Sequence, residues 1–162
     1  MGRRQDFEGF YAGSKDRCLR ALLATVADRA EADDLLSEAF TRAWKRWRAV
    51  SDHPSPEAWV MRTALNLHRD RWRRANHANR FLAVRREQHS LPDEPFDPAL
   101  LAGLRSLSDR QRSVVALRIL LDLSTEETAD VLGISPGTVP THLKRGLDTL
   151  RAVLSPEGSH VE

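Results

Sequence analysis

A tight turn at Gly133 is the feature that most constrains how this chain can fold. Ser124 and Glu127 have the spacing of a capping box, which starts a helix, and Gly133 follows where that helix should stop. Ala129, Gly133 and Val139 stand at offsets of 0, 4 and 10. They supply a close helix crossing, a residue tolerant of positive φ and an inward-facing apolar side chain. The pattern predicts a helix-turn-helix motif.

A proline, Pro140, stands inside the second helix of this motif. In a helix interior a proline removes a backbone hydrogen bond and costs about 3 kcal/mol. A helix that begins late avoids this cost, because its first N–H groups have no helical partner in any case. We therefore expect Thr138 to be the N-cap, with Val139 and Pro140 as the first two helical positions, or else a bend at this point.

Polar side chains share the outward face of the second helix. Thr138 lies beside Thr141, Lys144 and Arg145, which helical spacing brings together. Such side chains can donate hydrogen bonds to phosphates and base edges in the major groove of DNA, where Pro140 would add an apolar contact. A helical hairpin with no role in DNA binding is the alternative explanation of this segment.

The remaining pattern indicates two helical units joined by a linker. Residues 87–98, "EQHSLPDEPFDP", are polar, contain three prolines and lack periodicity, which is typical of a flexible linker. Asp97 with Pro98, and Ser108 with Gln111, mark further helix starts. Residues 99–155 are therefore predicted to form four short helices, and residues 156–162 a disordered tail. Residues 1–86 form the other unit, and the predicted fold class is all-α.

Within the first unit, the segment "AEADDLLSEAFTRAWKRW" at residues 30–47 repeats apolar residues at helical spacing over five turns. The apolar positions are Leu36, Phe40, Ala43 and Trp47, flanked by Leu35, Ala39 and Trp44. A stripe this broad predicts a helix that packs against more than one neighbour.

A second long helix, residues 56–80, is predicted after Ser55 as N-cap and Pro56 at the first helical position. At 100° per residue, Val60, Ala64 and Leu67 share one side of it. The opposite side carries a polar stripe, flanked by Trp59 and Trp72, that consists of Arg62, Asn66, Arg69 and Arg73. From residue 58 to residue 86 the only acidic residue is Asp70, against eight arginines, a balance that favours a nucleic-acid partner.

Several other classes of protein are disfavoured. The single cysteine, Cys18, excludes an internal disulfide and any cysteine-based zinc site, and indicates a reducing compartment. No run approaches about 20 apolar residues, so we expect a cytoplasmic protein without membrane insertion. Asp34 and Glu38 form one i, i+4 carboxylate pair without a third ligand at a suitable spacing. We therefore expect no metal, no cofactor and no enzymatic activity.

Taken as a set, these segments resemble the extracytoplasmic-function (ECF) group of bacterial RNA polymerase sigma factors, which have only sigma regions two and four. The segment "ADDLLSEAFTRAW" resembles the region-two helix that binds the β′ clamp helices of core polymerase. The segment "AWVMRTALNLHRDRWRR" resembles the helix that engages the melted minus-ten element, and residues 107–151 resemble region four. The resemblance covers most of the chain, with three motifs in the family's order.

The resemblance implies roles for individual residues. Asp34, Leu35, Glu38 and Trp44 would contact core polymerase or support those contacts, and region four would meet the β flap. Single-stranded minus-ten DNA would face Arg62, Asn66, Arg69 and Arg73, with a flipped base held by the loop "VSDHPSPE" and Trp59 anchoring the helix in the core. The minus-thirty-five element would be read by Thr138, Pro140, Thr141, Lys144 and Arg145.

Two residues depart from the family pattern. Ser37 stands where Gln is common, and Pro140 stands where a basic residue is usual, so one polymerase contact and one DNA contact are expected to differ. The family also makes an anti-sigma factor a further candidate partner. The alternative function is a helix-turn-helix regulator that acts on duplex operator DNA, but residues 1–86 lack the strand and helix alternation of a phosphoreceiver domain.

Overall fold

A computed structural model of the chain describes residues 2–26, 28–78 and 96–155, and these residues contain only helices and their connections. The chain divides into two compact units, Met1–Leu91 and Pro92–Glu162. The predicted all-α class is confirmed. Most of the predicted linker and the whole predicted tail lie outside the described residues. The last three linker residues are described: Phe96 is buried, Asp97 caps a helix and Pro98 begins it, so they belong to the second unit.

Four helices form the first unit: α1 (Arg3–Thr25), α2 (Arg29–Lys45), the short α3 (Trp47–Ser51) and α4 (Pro56–Ala78). As the broad apolar stripe predicted, α2 packs against both α1 and α4. The core between them includes Leu22, Leu35 and Met61, each fully buried. Phe40 is also buried, at 4% exposure, so it packs in the core and does not form part of the surface.

Local hydrogen bonds fix where α4 begins. Ser55 Oγ accepts a hydrogen bond from the N–H of Ala58 at 3.2 Å, as expected of the predicted N-cap. In the first turn, Glu57 accepts hydrogen bonds from Ser14, at 3.1 Å, and from Arg17, both on α1. The start of α4, and with it the loop that precedes it, is therefore tied to the middle of α1.

The second unit contains α5 (Pro98–Ser106), α6 (Asp109–Val115), α7 (Thr125–Leu132) and α8 (Val139–Leu154). Helix α6 continues into a π-helical turn at Ala116–Leu120, which the sequence did not predict. Side-chain caps at Asp97 and Ser108, and a complete capping box at Ser124 and Glu127, start the first three helices as predicted. Gly133 ends α7 with φ 65°, a left-handed conformation that glycine adopts without strain.

The late start of the second motif helix is confirmed. Residues Pro136–Thr138 form a 3₁₀ turn, and α8 begins at Val139, so Pro140 occupies the second helical position. Thr138 occupies the N-cap position, as predicted, but its side chain makes no capping hydrogen bond. Its backbone is already helical, with φ −88° and ψ −18°, and its hydroxyl donates to the carbonyl of Ser135 at 2.7 Å. The 3₁₀ turn therefore takes the place of a side-chain cap.

Candidate nucleic-acid interface

The predicted polar stripe lies on the exposed side of α4. Its four residues are exposed, whereas Val60 and Ala64, which the helical wheel places opposite, are fully buried. Leu67 is half-buried. The four stripe residues are Arg62, Asn66, Arg69 and Arg73. Because α4 packs into the unit through its apolar side, the stripe faces solvent over about three helical turns.

Hydrogen bonds within α4 orient part of this stripe. Arg69 donates to the amide oxygen of Asn66 at 2.8 Å, which leaves the amide NH₂ of Asn66 to donate to a ligand. Arg73 is 3.7 Å from the carboxylate of Asp70, a distance too long for a hydrogen bond. The stripe therefore presents an oriented amide between guanidinium groups, which suits base edges and phosphates respectively.

Aromatic side chains border the stripe, as the sequence predicted. Trp72 is 50% exposed, so about half of its surface is accessible to a ligand such as a stacking base. Trp59 is half-buried, which is less than a full anchor in the core requires. An open aromatic surface beside arginines is the combination found where proteins bind single-stranded nucleic acid.

The loop before α4 is shaped by its own residues. The N–H of Ser55 donates to His53 Nδ1 at 3.0 Å, which closes a tight turn around Pro54. Ser55 also caps α4, and Glu57 is tied to α1. Since the end of this loop is tied to α4 and, through Glu57, to α1, its position relative to the stripe is set by the fold.

On α2, the predicted polymerase-contact residues fall into different environments. Asp34 and Glu38 reach solvent, but each is paired, Asp34 with Arg71 on α4 at 2.6 Å and Glu38 with Arg42 at 3.1 Å. Leu35 is fully buried, so it supports the packing of α2 and cannot itself touch a partner. The Asp34 pair links α2 directly to the helix that carries the polar stripe.

Trp44, the fourth of these residues, is 39% exposed and belongs to an aromatic cluster that the sequence analysis missed. Helix α1 contributes Phe7, Phe10 and Tyr11, spaced i, i+3 and i+4, and α2 contributes Phe40. Phe7 lies 5.2 Å from Trp44, centroid to centroid. The helical spacing of the three aromatic residues in "FEGFY" was the signal available for α1.

In the second unit, the predicted outward face of α8 is exposed. The residues in question are Thr138, Pro140, Thr141, Lys144 and Arg145. Val139 is fully buried and Ala129 is 3% exposed, as the motif requires. Lys144 donates to Asp148 at 2.7 Å, and this hydrogen bond is the main reason why the pKa of Asp148 is lowered. A phosphate that binds Lys144 must therefore compete with an ionised carboxylate.

Two negative results concern only the residues that the structure describes. No cluster of His, Cys, Asp or Glu among them has the composition of a metal site. Over the same residues, no helix is long and apolar enough to cross a bilayer.

Comparisons with known proteins assign both units to the same family. The family "Sigma-70 region 2" matches residues 11–78, and "Sigma-70, region 4" matches residues 98–150. The RNA polymerase sigma-E factor of Streptomyces coelicolor is 37% identical over 163 residues, covering 95% of this chain and 89% of that protein. The ECF RNA polymerase sigma factor SigL of Mycobacterium tuberculosis is 31% identical over 147 residues, covering 86% and 83%.

Solved structures show the same fold. The sigma factor RpoE of Bartonella quintana, solved with the anti-sigma factor NepR, superposes with a TM-score of 0.77 at 18% identity over 94% of this chain and 99% of that one. CnrH, solved with the cytosolic domain of CnrY, gives a TM-score of 0.61 at 23% identity over 97% and 91%. The region-two match leaves the alternative of an operator-binding regulator unsupported. This chain belongs to the ECF group of the sigma-70 family of RNA polymerase sigma factors.

Proposed function

We propose that this sigma factor directs core RNA polymerase to a specific set of promoters and helps to melt them, using the polar stripe of α4 on the minus-ten element. The observation that carries this proposal is the exposed row of Arg62, Asn66, Arg69 and Arg73 on a helix whose opposite side is buried. The arginines would follow the phosphates of the displaced strand, the Asn66 amide would read a base edge, and Trp72 would stack on a base. The loop at residues 50–57 would hold one extruded base.

The second DNA contact in the proposal is made by α8, in the major groove of the minus-thirty-five element. Thr138, Thr141, Lys144 and Arg145 would donate to phosphates and base edges. Pro140 would present an apolar ring to the groove, because its position at the start of α8 leaves it exposed. This arrangement supports a preference for a base with an apolar edge, such as the thymine methyl group.

The proposed polymerase surface lies on α2. Asp34, Glu38 and Trp44 would contact the β′ clamp helices with Leu35 as packing support, and the second unit would bind the β flap. Residues 1–86 and 96–155 would act as separate binding units joined by a linker at residues 87–95. Two weak DNA contacts held on one polymerase gain effective concentration from the tether, so the free chain should bind promoter DNA weakly.

No step in this function breaks a covalent bond. Sigma factors are in general non-catalytic subunits of polymerase, and we propose that this chain likewise has no enzymatic activity, needs no cofactor and works in the cytoplasm. The solved neighbour RpoE, bound to the anti-sigma factor NepR, supports the proposal that this chain too has such a partner.

Run-off transcription tests the proposal. Core RNA polymerase is incubated with fragmented genomic DNA from the source organism, with and without the chain, and the new RNA 5′ ends are sequenced. We expect starts that require the chain and that share two upstream elements at a fixed spacing. An Arg69→Ala, Arg73→Ala double variant should lose these starts, whereas Arg20→Ala, which removes an exposed arginine of α1, should keep them. If no starts depend on the chain, the proposal is wrong.

A further inference from the structure

A pocket of about 360 Å³ lies on the first unit, outside the polar stripe of α4. It is formed by the start of α1 and by α3, and its lining residues are Arg3, Asp6, Trp47, Arg48 and Ser51. Two arginines and one carboxylate therefore face the same small space, and the indole of Trp47 forms an apolar wall. The pocket is open to solvent, so a group on a passing chain can reach it.

Arg3 is held in place at this pocket by two contacts with Trp44. Its guanidinium donates to the carbonyl of Trp44 at 3.2 Å and lies 5.2 Å from the centroid of the Trp44 ring. A guanidinium group that is already oriented loses less conformational freedom when it binds an anion. The exposed end of Arg3 therefore provides an oriented positive charge at one side of the pocket.

The second positive charge comes from Arg48, on α3. Arg48 is exposed and, within the part of the chain that the structure describes, forms no ion pair; the same holds for the neighbouring Lys45 and Arg46. The acidic residues of this region are Asp6, which lines the pocket, and Asp52, which follows α3. Their two negative charges are fewer than the positive charges of Arg3, Arg48, Lys45 and Arg46. The net charge of the pocket and its rim is positive. The pocket is therefore suited to an anion that does not belong to this chain.

The position of the pocket identifies the anion. Ser51, on the rim, is four residues before Ser55, which starts α4, so the two are at most about 14 Å apart along the chain. A DNA strand that follows the stripe of α4 and inserts a base at this loop must continue past the loop. We infer that the pocket binds a backbone phosphate of this single strand next to the extruded base, with Arg48 and Arg3 supplying the charge.

This inference rests on the proposed function and adds a phosphate site on α1 and α3 to it. Arginine is suited to the role because its planar guanidinium matches phosphate oxygens in pairs. Contacts of this kind position the strand and do not depend on its sequence. Asp6, which also lines the pocket, repels a phosphate. Removing the charge of Asp6 and removing the charge of Arg48 should therefore change the affinity for DNA in opposite directions.

The test uses the assembled holoenzyme and a forked DNA that carries a promoter found by the run-off experiment. Phosphates beside the extruded base are replaced one at a time by uncharged methylphosphonates, and affinity is measured over a range of salt concentrations. At one or two positions the replacement should weaken binding of the wild type by more than it weakens binding of Arg48→Ala, which keeps Arg3. Arg48→Ala should also reduce the slope of log affinity against log salt by about 0.7.

Asp6→Asn should have the opposite effect and tighten binding, which a purely structural role of the pocket does not predict. Arg20→Ala is the matched control and should behave as the wild type at every phosphate.

If Arg48→Ala and Arg20→Ala respond alike, the inference is wrong. It is also wrong if Arg48→Ala weakens assembly with core polymerase before DNA is added, because the pocket then binds protein. If transcription starts depend on the chain but Arg48→Ala binds DNA as the wild type does, only the inference about the pocket is wrong. If no starts depend on the chain, the proposed function is wrong as well.

Discussion

Gly146 allows α8 to pack closely against α6, and replacing it with alanine should weaken that packing. A Cβ at this position would lie 2.8 Å from Cγ2 of Val115 and 3.6 Å from Cβ of Gln111. Val115 is 3% exposed and β-branched, so it has no open space to move into and few rotamers to adopt. The added methyl group therefore displaces a part of the core that cannot readily adjust.

Two opposing effects determine the size of the change. Alanine is about 1 kcal/mol more favourable than glycine in a helix interior, whereas overpacking a buried contact costs about 1–3 kcal/mol. For Gly146→Ala we expect a net loss of about 1 kcal/mol, equivalent to an opening equilibrium constant of α8 that is about five-fold larger. In a Val115→Ala background the clashing atom is gone, and the same substitution should stabilise α8 by about 1 kcal/mol.

Native-state hydrogen exchange of the α8 amides, followed by mass spectrometry on the full chain, measures this effect locally. Gly103→Ala is the matched control: its Cβ would lie 2.9 Å from Cδ2 of Leu150, the end of a flexible side chain that can rotate away. We expect Gly103→Ala to leave exchange unchanged or to slow it. Slower exchange in Gly146→Ala, or no change of sign in the Val115→Ala background, would refute the reasoning.

Three further predictions follow from other contacts. Ser124→Ala removes the capping box of α7 and should cost about 1 kcal/mol in exchange protection of that helix, whereas Ser124→Asp should retain most of it. Asp148→Asn releases Lys144 and should raise affinity for minus-thirty-five duplex DNA in an anisotropy titration. Because the pKa of Asp148 is lowered, its pair with Lys144 persists until the pH falls through that lowered value, and unchanged affinity near neutral pH would contradict the competition. Burial raises the pKa of Cys18 from 9.0 to about 12, so iodoacetamide at pH 8 should label it much more slowly than the denatured chain. Stability should also decline above about pH 9, where the unfolded thiol ionises and the folded one does not; equal labelling of folded and denatured chain would contradict this.

Features that depend on neighbouring residues were predictable from the sequence. Ser55 and Ser124 start helices because a serine hydroxyl satisfies N–H groups two or three residues away, which requires no tertiary contact. Pro140 predicted the late start of α8 for the same reason: a proline restricts its own turn of helix. The exposed stripe of α4 followed from helical periodicity alone.

Features that depend on distant residues were not predictable in this way. The pair between Asp34 and Arg71 joins residues 37 positions apart, and the contact of Phe7 with Trp44 requires that α1 lie along α2. Periodicity placed Leu35 at the edge of a stripe without revealing that it is fully buried. Thr138 was predicted to cap α8 because its residue type suits a cap, but the 3₁₀ turn had already given its backbone a helical conformation.

The 3₁₀ turn at Pro136–Thr138 also changes the phase of the helix that follows. A 3₁₀ turn advances about 120° and 2.0 Å per residue, against about 100° and 1.5 Å in an α-helix. Over three residues the difference amounts to about 60° of rotation and about 1.5 Å of translation. Residues from Thr141 onward therefore point in directions different from those of a helix that is α-helical from Pro136. Counting positions along an alignment with such a helix would therefore misjudge which side chains of α8 share one face.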